Sequence, residues 1–255
     1  MKRGLTMYET RNVRIGEGIP KICVPICAEN IDACVKLMDG KEIECADIIE
    51  LRADWIENIE NKNTLDEILK FTRKSAGEKP VIFTLRTSEE GGKFEYNAEL
   101  YCDINMYVAQ SRMVDIIDIE IEREHIESLI KNIKENGVGI IGSYHNFSCT
   151  PEVDFILEKV RCAEIYGADI AKVAVMPKIK SDTARLMLSI RKAEEISNIL
   201  IIGVSMSDVG SISRVAGGVF GSAVTFGCTD VESAPGQIRA SELKKAVEYI
   251  HRVCP

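Results

Sequence analysis

The sequence predicts an α/β fold, a single (β/α)8 TIM barrel, on three observations. Eight short, apolar, β-branched runs alternate with helical patterns. No linker and no shift in composition divides the 255 residues, so 1–255 is expected as one domain. No glycine-rich phosphate loop follows the first run; Pro25-Ile-Cys-Ala-Glu-Asn30 stands where an open doubly wound sheet would carry one.

The elements follow in order. Residues 7–20 are polar around Val13-Arg-Ile-Gly16 and end in Gly18-Ile-Pro20, the pattern of a β-hairpin closing the bottom of a barrel. The eight strand candidates are 21–27, 47–54, 80–87, 115–121, 138–145, 168–175, 199–207 and 222–227. Thr64 opens a helix, with Glu67 three residues on as a capping box. Thr150-Pro151 starts another, which Gly167 ends. Ser181-Asp182 caps the next, and Pro235 precedes a last helix ending at His251.

Composition narrows the function. Hydrophobic content is 45% and charged content 28%, enough apolar surface for a sizeable core. The net charge of −8 leaves no basic footprint for nucleic acid, so an anionic substrate must be gripped by local arginines. The nine cysteines are odd in number and form no CxxC, which favours free thiols in a reducing cytosol over disulfides or a metal site. No stretch approaches membrane-span length and no signal-peptide core is present, so a cytoplasmic protein is expected.

Lys172 is the most informative residue. It shares one strand face with Ile170 and Ala174, and the other face carries Ala171, Val173 and Val175. A lysine there is buried, and lysines are seldom buried without a reason. Loss of water favours the neutral amine, a nucleophile towards carbonyls. The plainer alternative is a long stem reaching a surface or a carboxylate.

The barrel makes a sharp demand: reactive groups belong at the C-terminal ends of strands and in the loops just after them. Glu50 and Arg52, Arg86, Glu90, His145, Met206, Arg214, and Ser233, Ala234 and Gln237 all fall there. Asp118 and Glu120 share the face opposite Ile117, Ile119 and Ile121, where they could balance Lys172 or orient His145. Singly, each has a bland reading: a structural Glu50–Arg52 ion pair, a core histidine, a surface arginine. His125 reads as solvated on a helix, and His251 as a partner of a helix C-terminus. Convergence at one end of one fold lifts the others above those readings.

Six segments together are specific. They are Glu50-Leu-Arg-Ala-Asp54, Thr84-Leu-Arg-Thr-Ser-Glu-Glu-Gly-Gly92, Ser143-Tyr-His-Asn-Phe147, Ala171-Lys-Val-Ala174, Ser205 to Arg214, and Phe220 to Gln237. On them the chain resembles type I 3-dehydroquinate dehydratase over essentially its whole length. Pro25 departs from that pattern, at a position where the family often has a small polar residue. The resemblance implies a cofactor-free, metal-free lyase of the shikimate route, commonly a homodimer, that dehydrates 3-dehydroquinate through a lysine Schiff base. It implies Lys172 as the imine-forming residue, His145 as general acid and base, and Glu90 as its orienter. Arg214 would clamp the substrate carboxylate, with Ser233, Ala234 and Gln237 assisting. Glu50, Arg52 and Arg86 would read the ring hydroxyls, and Met206 and Phe226 would form apolar walls. Two other readings stay open: a class I Schiff-base aldolase on the same fold, and a non-catalytic barrel that binds a small acid.

Overall fold

The structure is a computed structural model and describes residues 7–254. Strands β1 (Tyr8–Thr10) and β2 (Val13–Ile15) form an antiparallel hairpin, and eight parallel strands follow. These are β3 (Lys21–Ile26), β4 (Ile48–Arg52), β5 (Val81–Thr84), β6 (Ile116–Glu120), β7 (Gly139–Asn146), β8 (Ile170–Val175), β9 (Leu200–Ser205) and β10 (Val224–Phe226). Each overlaps its predicted run with ends displaced by up to three residues, as at β5, and nearly always trimmed, where backbone bonding gives way to loops. Their order, β10-β3-β4-β5-β6-β7-β8-β9, is that of a (β/α)8 barrel.

The last junction closes differently. Where the other seven hold three to six registered pairs, β9 meets β10 through a single bridge, Ile201 to Ser222, with Ala223 N–H donating to Ile201 O at 2.8 Å.

Both faces of the strands are buried, which is why they read as continuous apolar runs. Inward-facing Ile48, Ile82, Ile116, Ile141, Ile170 and Ile202 fill the barrel, and Ile15 of the hairpin plugs it from below. The hairpin sits at the N-terminal ends of the strands, with Arg11 Nε donating to Asp115 at 2.7 Å. The opposite strand faces pack against the helices. In the helix Ile126–Glu135 the buried residues are Ile126, Leu129, Ile130 and Ile133, one stripe at helical spacing. Burying each contributes about 1.5–3 kcal/mol.

Helix starts differ from the sequence reading. The helix over Thr64 and Glu67 is Lys62–Ala76, and Asn61 caps it by accepting from the N–H groups of Asn63 and Thr64. An Asn side chain three residues earlier does the work assigned to Thr64. The next predicted start, Thr150-Pro151, lies outside its helix, Val153–Ile165, although Gly167 ends it as expected, at φ 88°. The helix Lys180–Ile196 starts after Ile179; Asp182, inside the first turn, accepts from the N–H groups of Lys178 and Ile179, and Ser181 does not cap. The terminal helix is Ala240–Val253, two residues longer than predicted. His125 is exposed but precedes its helix, at φ 59°.

All nine cysteines are free thiols. No helix among the described residues is long and apolar enough to cross a membrane.

Candidate active site

The C-terminal ends of the strands surround a cavity, and all twelve residues given catalytic or substrate-binding roles from the sequence line it, while Asp118 and Glu120 lie behind it. Sequence reasoning did not single out five further liners: Thr84, Gly91, Phe147, Ala174 and Val204. A second, wider groove lies at the other end between Pro20, Ile196, Val219 and Ile250. It lacks the convergent buried charges of the first.

Lys172 projects from β8 into the base of the cavity, 7% exposed. Its Nζ donates to Asp118 Oδ2 at 3.0 Å, lies 3.7 Å from Glu50 Oε1, and stands 4.5 Å from the centre of the Phe226 ring. The lysine is therefore paired, not merely desolvated. Asp118 also accepts from Arg86 at 2.8 Å and from Ser143 Oγ at 2.5 Å. Burial alone would push its carboxyl up, but Arg86, Lys172 and His145 hold it well below the usual carboxylate range.

His145 comes from the neighbouring strand. Register pairs Ser143 with Lys172 and His145 with Ala174, so the imidazole stands one pleat above the amine. Its Nδ1 lies 2.8 Å from Glu90 Oε2. Burial, with Arg86, Lys172 and Arg52 nearby, pushes His145 well below its ordinary value. Burial and Glu120 push Glu90 up to about 9, against the opposing pull of Arg86. The two groups titrate as one unit. The form that acts as a base has Nδ1–H donated to a Glu90 carboxylate and Nε2 free.

Glu90 ends the short 3-10 turn Ser88–Glu90, which Gly91 closes at φ 80°. Glycine is required there twice over: the backbone is left-handed, and a Cβ would run into the Phe147 ring. Phe147, two residues beyond His145, thus holds the Glu90 turn against the end of β7.

The arginines divide by partner. Arg86 is committed to Asp118, Glu120 at 3.2 Å and Ser143 at 2.9 Å. Arg52 forms a two-pronged pair with Asp54, both contacts 2.8 Å, and not the pair with Glu50 considered from the sequence. Glu50 instead accepts from Thr84 Oγ1 at 2.8 Å. Arg214, in the short helix Ile212–Ala216, donates to the main-chain carbonyls of Gly236, Phe226 and Pro235. Among the described residues it forms no ion pair, and burial pushes it down to about 10, still charged at neutral pH. A guanidinium has five N–H donors and these carbonyls take three, so two remain for an anion.

Gln237 Oε1 accepts from Ser233 N–H at 2.6 Å, which folds the Ser233–Gln237 loop over the cavity mouth. Met206 and Phe226 belong to the barrel's inner apolar cluster and wall the cavity. Glu120 does not reach His145; it accepts from the Thr87 N–H and hydroxyl, each at 2.8 Å, and from Arg123 at 2.7 Å. Among the described residues no cluster of metal-ligating side chains occurs.

An amine on two carboxylates, an imidazole–carboxyl pair above it and an arginine free of acids can form an imine, move a proton beside it and grip an acid. A family model described as type I 3-dehydroquinase matches residues 22–253. A 3-dehydroquinate dehydratase of Clostridium novyi is 39% identical over 249 residues, 95% of this chain and 97% of that one. A crystal structure of type I 3-dehydroquinate dehydratase from Clostridium difficile with covalently modified comenic acid has a TM-score of 0.93 at 36% identity, covering 99% and 100% of the two chains. One from Geobacillus kaustophilus has a TM-score of 0.93 at 32% identity, with 98% of each covered.

Proposed function

The chain belongs to the type I 3-dehydroquinase family, and we propose that it converts 3-dehydroquinate to 3-dehydroshikimate through an imine on Lys172. Membership makes it a type I 3-dehydroquinate dehydratase, a lyase of the shikimate pathway. The covalent route is our reading. The observation that carries it is the buried Lys172 amine one pleat below the His145–Glu90 pair.

Lys172 in its neutral form attacks the C3 ketone, and loss of water gives the imine. Asp118 and Glu50 balance the positive iminium that replaces the ammonium between them. The iminium withdraws electrons from C2, and His145 Nε2 removes the C2 proton to give an enamine. The enamine electrons return through the ring as the C1–O bond breaks, and His145 protonates the departing hydroxyl. Water then hydrolyses the product imine and frees Lys172. Glu90 keeps the imidazole in the tautomer with Nε2 free. Arg214 grips the substrate carboxylate with its two spare donors. Glu50, Arg52 and Arg86, with the Ser233–Gln237 loop, shape the polar wall around the ring hydroxyls, and Met206 and Phe226 cover its apolar edge.

In this reading the protein works as a cytoplasmic homodimer without a metal or cofactor, and binds neither membrane nor nucleic acid. The test is a mass spectrum after borohydride treatment with 3-dehydroquinate: one reduced ligand on Lys172, absent in Lys172→Ala. An adduct on another lysine, or cleavage of a phosphorylated aldol substrate in preference, would overturn it.

A further inference from the structure

Glu90 Oε1 is buried and has no hydrogen-bond partner among the described residues. Its sister oxygen is on His145, so Oε1 points away from the imidazole. The group facing it is Arg123, whose Nη2 lies 3.8 Å away, too far for a hydrogen bond and close enough for an ion pair. Arg123 follows β6 in a turn. Its Nε donates to Glu120 Oε2, its Nη1 meets Glu89, and its guanidinium lies 5.0 Å from the centre of the Tyr96 ring. The side chain is 10% exposed. It is therefore aimed, largely sheltered from solvent, at the back of the Glu90 carboxyl.

We propose that Arg123 is a positioning residue for the Glu90–His145 pair, its guanidinium closing on Glu90 Oε1 and holding Glu90 as an aimed carboxylate. This rests on the reading of His145 as the catalytic base. The surroundings explain the need. Glu120 and Asp118 from β6 and Glu122 beside Arg123 all oppose a charge on Glu90, and Arg86 is the other cation near it, 3.5 Å from Oε2. Arg86, however, is shared with Asp118 and Glu120. Arg52 and Lys172 act on the imidazole side. A second cation on the free oxygen offsets part of the repulsion and favours the pair's base-competent form. One opposite charge at this range lowers a carboxyl by about 1–3 units, so losing Arg123 moves the pair's loss of a proton to higher pH.

The experiment titrates the ring nitrogens of His145 by NMR from about pH 4 to about pH 10 in the unaltered protein, Arg123→Lys and Arg123→Gln. His145 is identified among the three histidines by its loss in His145→Ala. The pH profile of kcat/KM is measured beside it. The midpoint at which the pair loses a proton should rise by roughly one unit in Arg123→Gln and less in Arg123→Lys. Near neutrality kcat should fall with KM little changed, and should recover at higher pH. In a Glu90→Gln background Arg123→Gln should shift nothing further. An unmoved midpoint, with activity reduced equally at every pH, would overturn the proposal. A midpoint that moves while the rate profile stays put would leave Arg123 in its role and remove His145 as the base. Arg123→Lys keeps the charge, so it supplies the answer where Arg123→Gln folds poorly.

Discussion

Asp118 Oδ2 lies 3.0 Å from Lys172 Nζ, and it comes from β6, two strands around the barrel from the lysine's own β8. The strand between them, β7, contributes Ser143 to the same aspartate and His145 to the space above. Three adjacent strands thus build the amine's surroundings, and a carboxylate that stays ionised waits where an iminium would form.

Asp118→Asn should separate charge balance from covalent capability. The amine remains, so borohydride trapping on Lys172 should persist, but more slowly. Removing one member of a buried charge network costs about 3–5 kcal/mol, so melting should fall by several degrees. Trapping at the unaltered rate would show that Asp118 is not needed at the iminium.

For Arg214→Ala the expected failure is binding. Losing a charge-assisted grip of about 2–3 kcal/mol should raise KM by roughly 30- to 150-fold, with a smaller change in kcat. Steady-state kinetics check it. An unchanged KM would place the substrate carboxylate elsewhere, and Arg52 would be next to test.

His145→Ala should stall after capture. The amine can still attack the ketone, while loss of the proton-transfer group slows later steps by about 10²–10⁴-fold. Single-turnover mass spectrometry should therefore find accumulated adduct. Normal turnover with a lower melting point would make His145 a packing residue.

Glu90→Gln should change how stability depends on pH. Burial and Glu120 raise Glu90 from 4.5 to about 9 in the fold. Between those values the unfolded chain is ionised while the Glu90–His145 pair of the fold keeps its extra proton, so stability falls as pH rises. A neutral glutamine removes that slope. The variant's melting point should match the unaltered protein near pH 4.5 and exceed it increasingly towards pH 9, with each kcal/mol worth about 2–4 °C. A constant difference across that range would contradict the raised value.

Much of this was legible in the chain because strand ends are where apolar runs stop at polar residues. Glu50, Arg86, His145 and Lys172 announce themselves as titratable groups inside or ending apolar β-branched runs. Who pairs with whom was not legible, since period and spacing fix a face but not a rotamer. Glu50 and Arg52 share a face, yet Arg52 turns to Asp54. Asp118 and Glu120 share a face, yet one meets Lys172 and the other Thr87 and Arg123. In the sequence Phe147 is only the end of the Ser143–Phe147 segment, and its packing against Gly91 is what gives it a role. Helix caps were misplaced by two or three residues for the same reason: Asn61, Thr64 and Asp182 all suit a cap, and local geometry chooses among them.

The single-bridge junction between β9 and β10 gives Arg214 a second duty. Its helix follows β9, and its guanidinium holds Phe226 of β10 and the Pro235–Gly236 backbone beyond it, while Thr225 donates back to its carbonyl. The side chain proposed to meet the substrate is thus also a latch across the seam with the fewest registered strand pairs. On the proposed reading, an acid seated on the spare donors would bear on both sides of that seam at once.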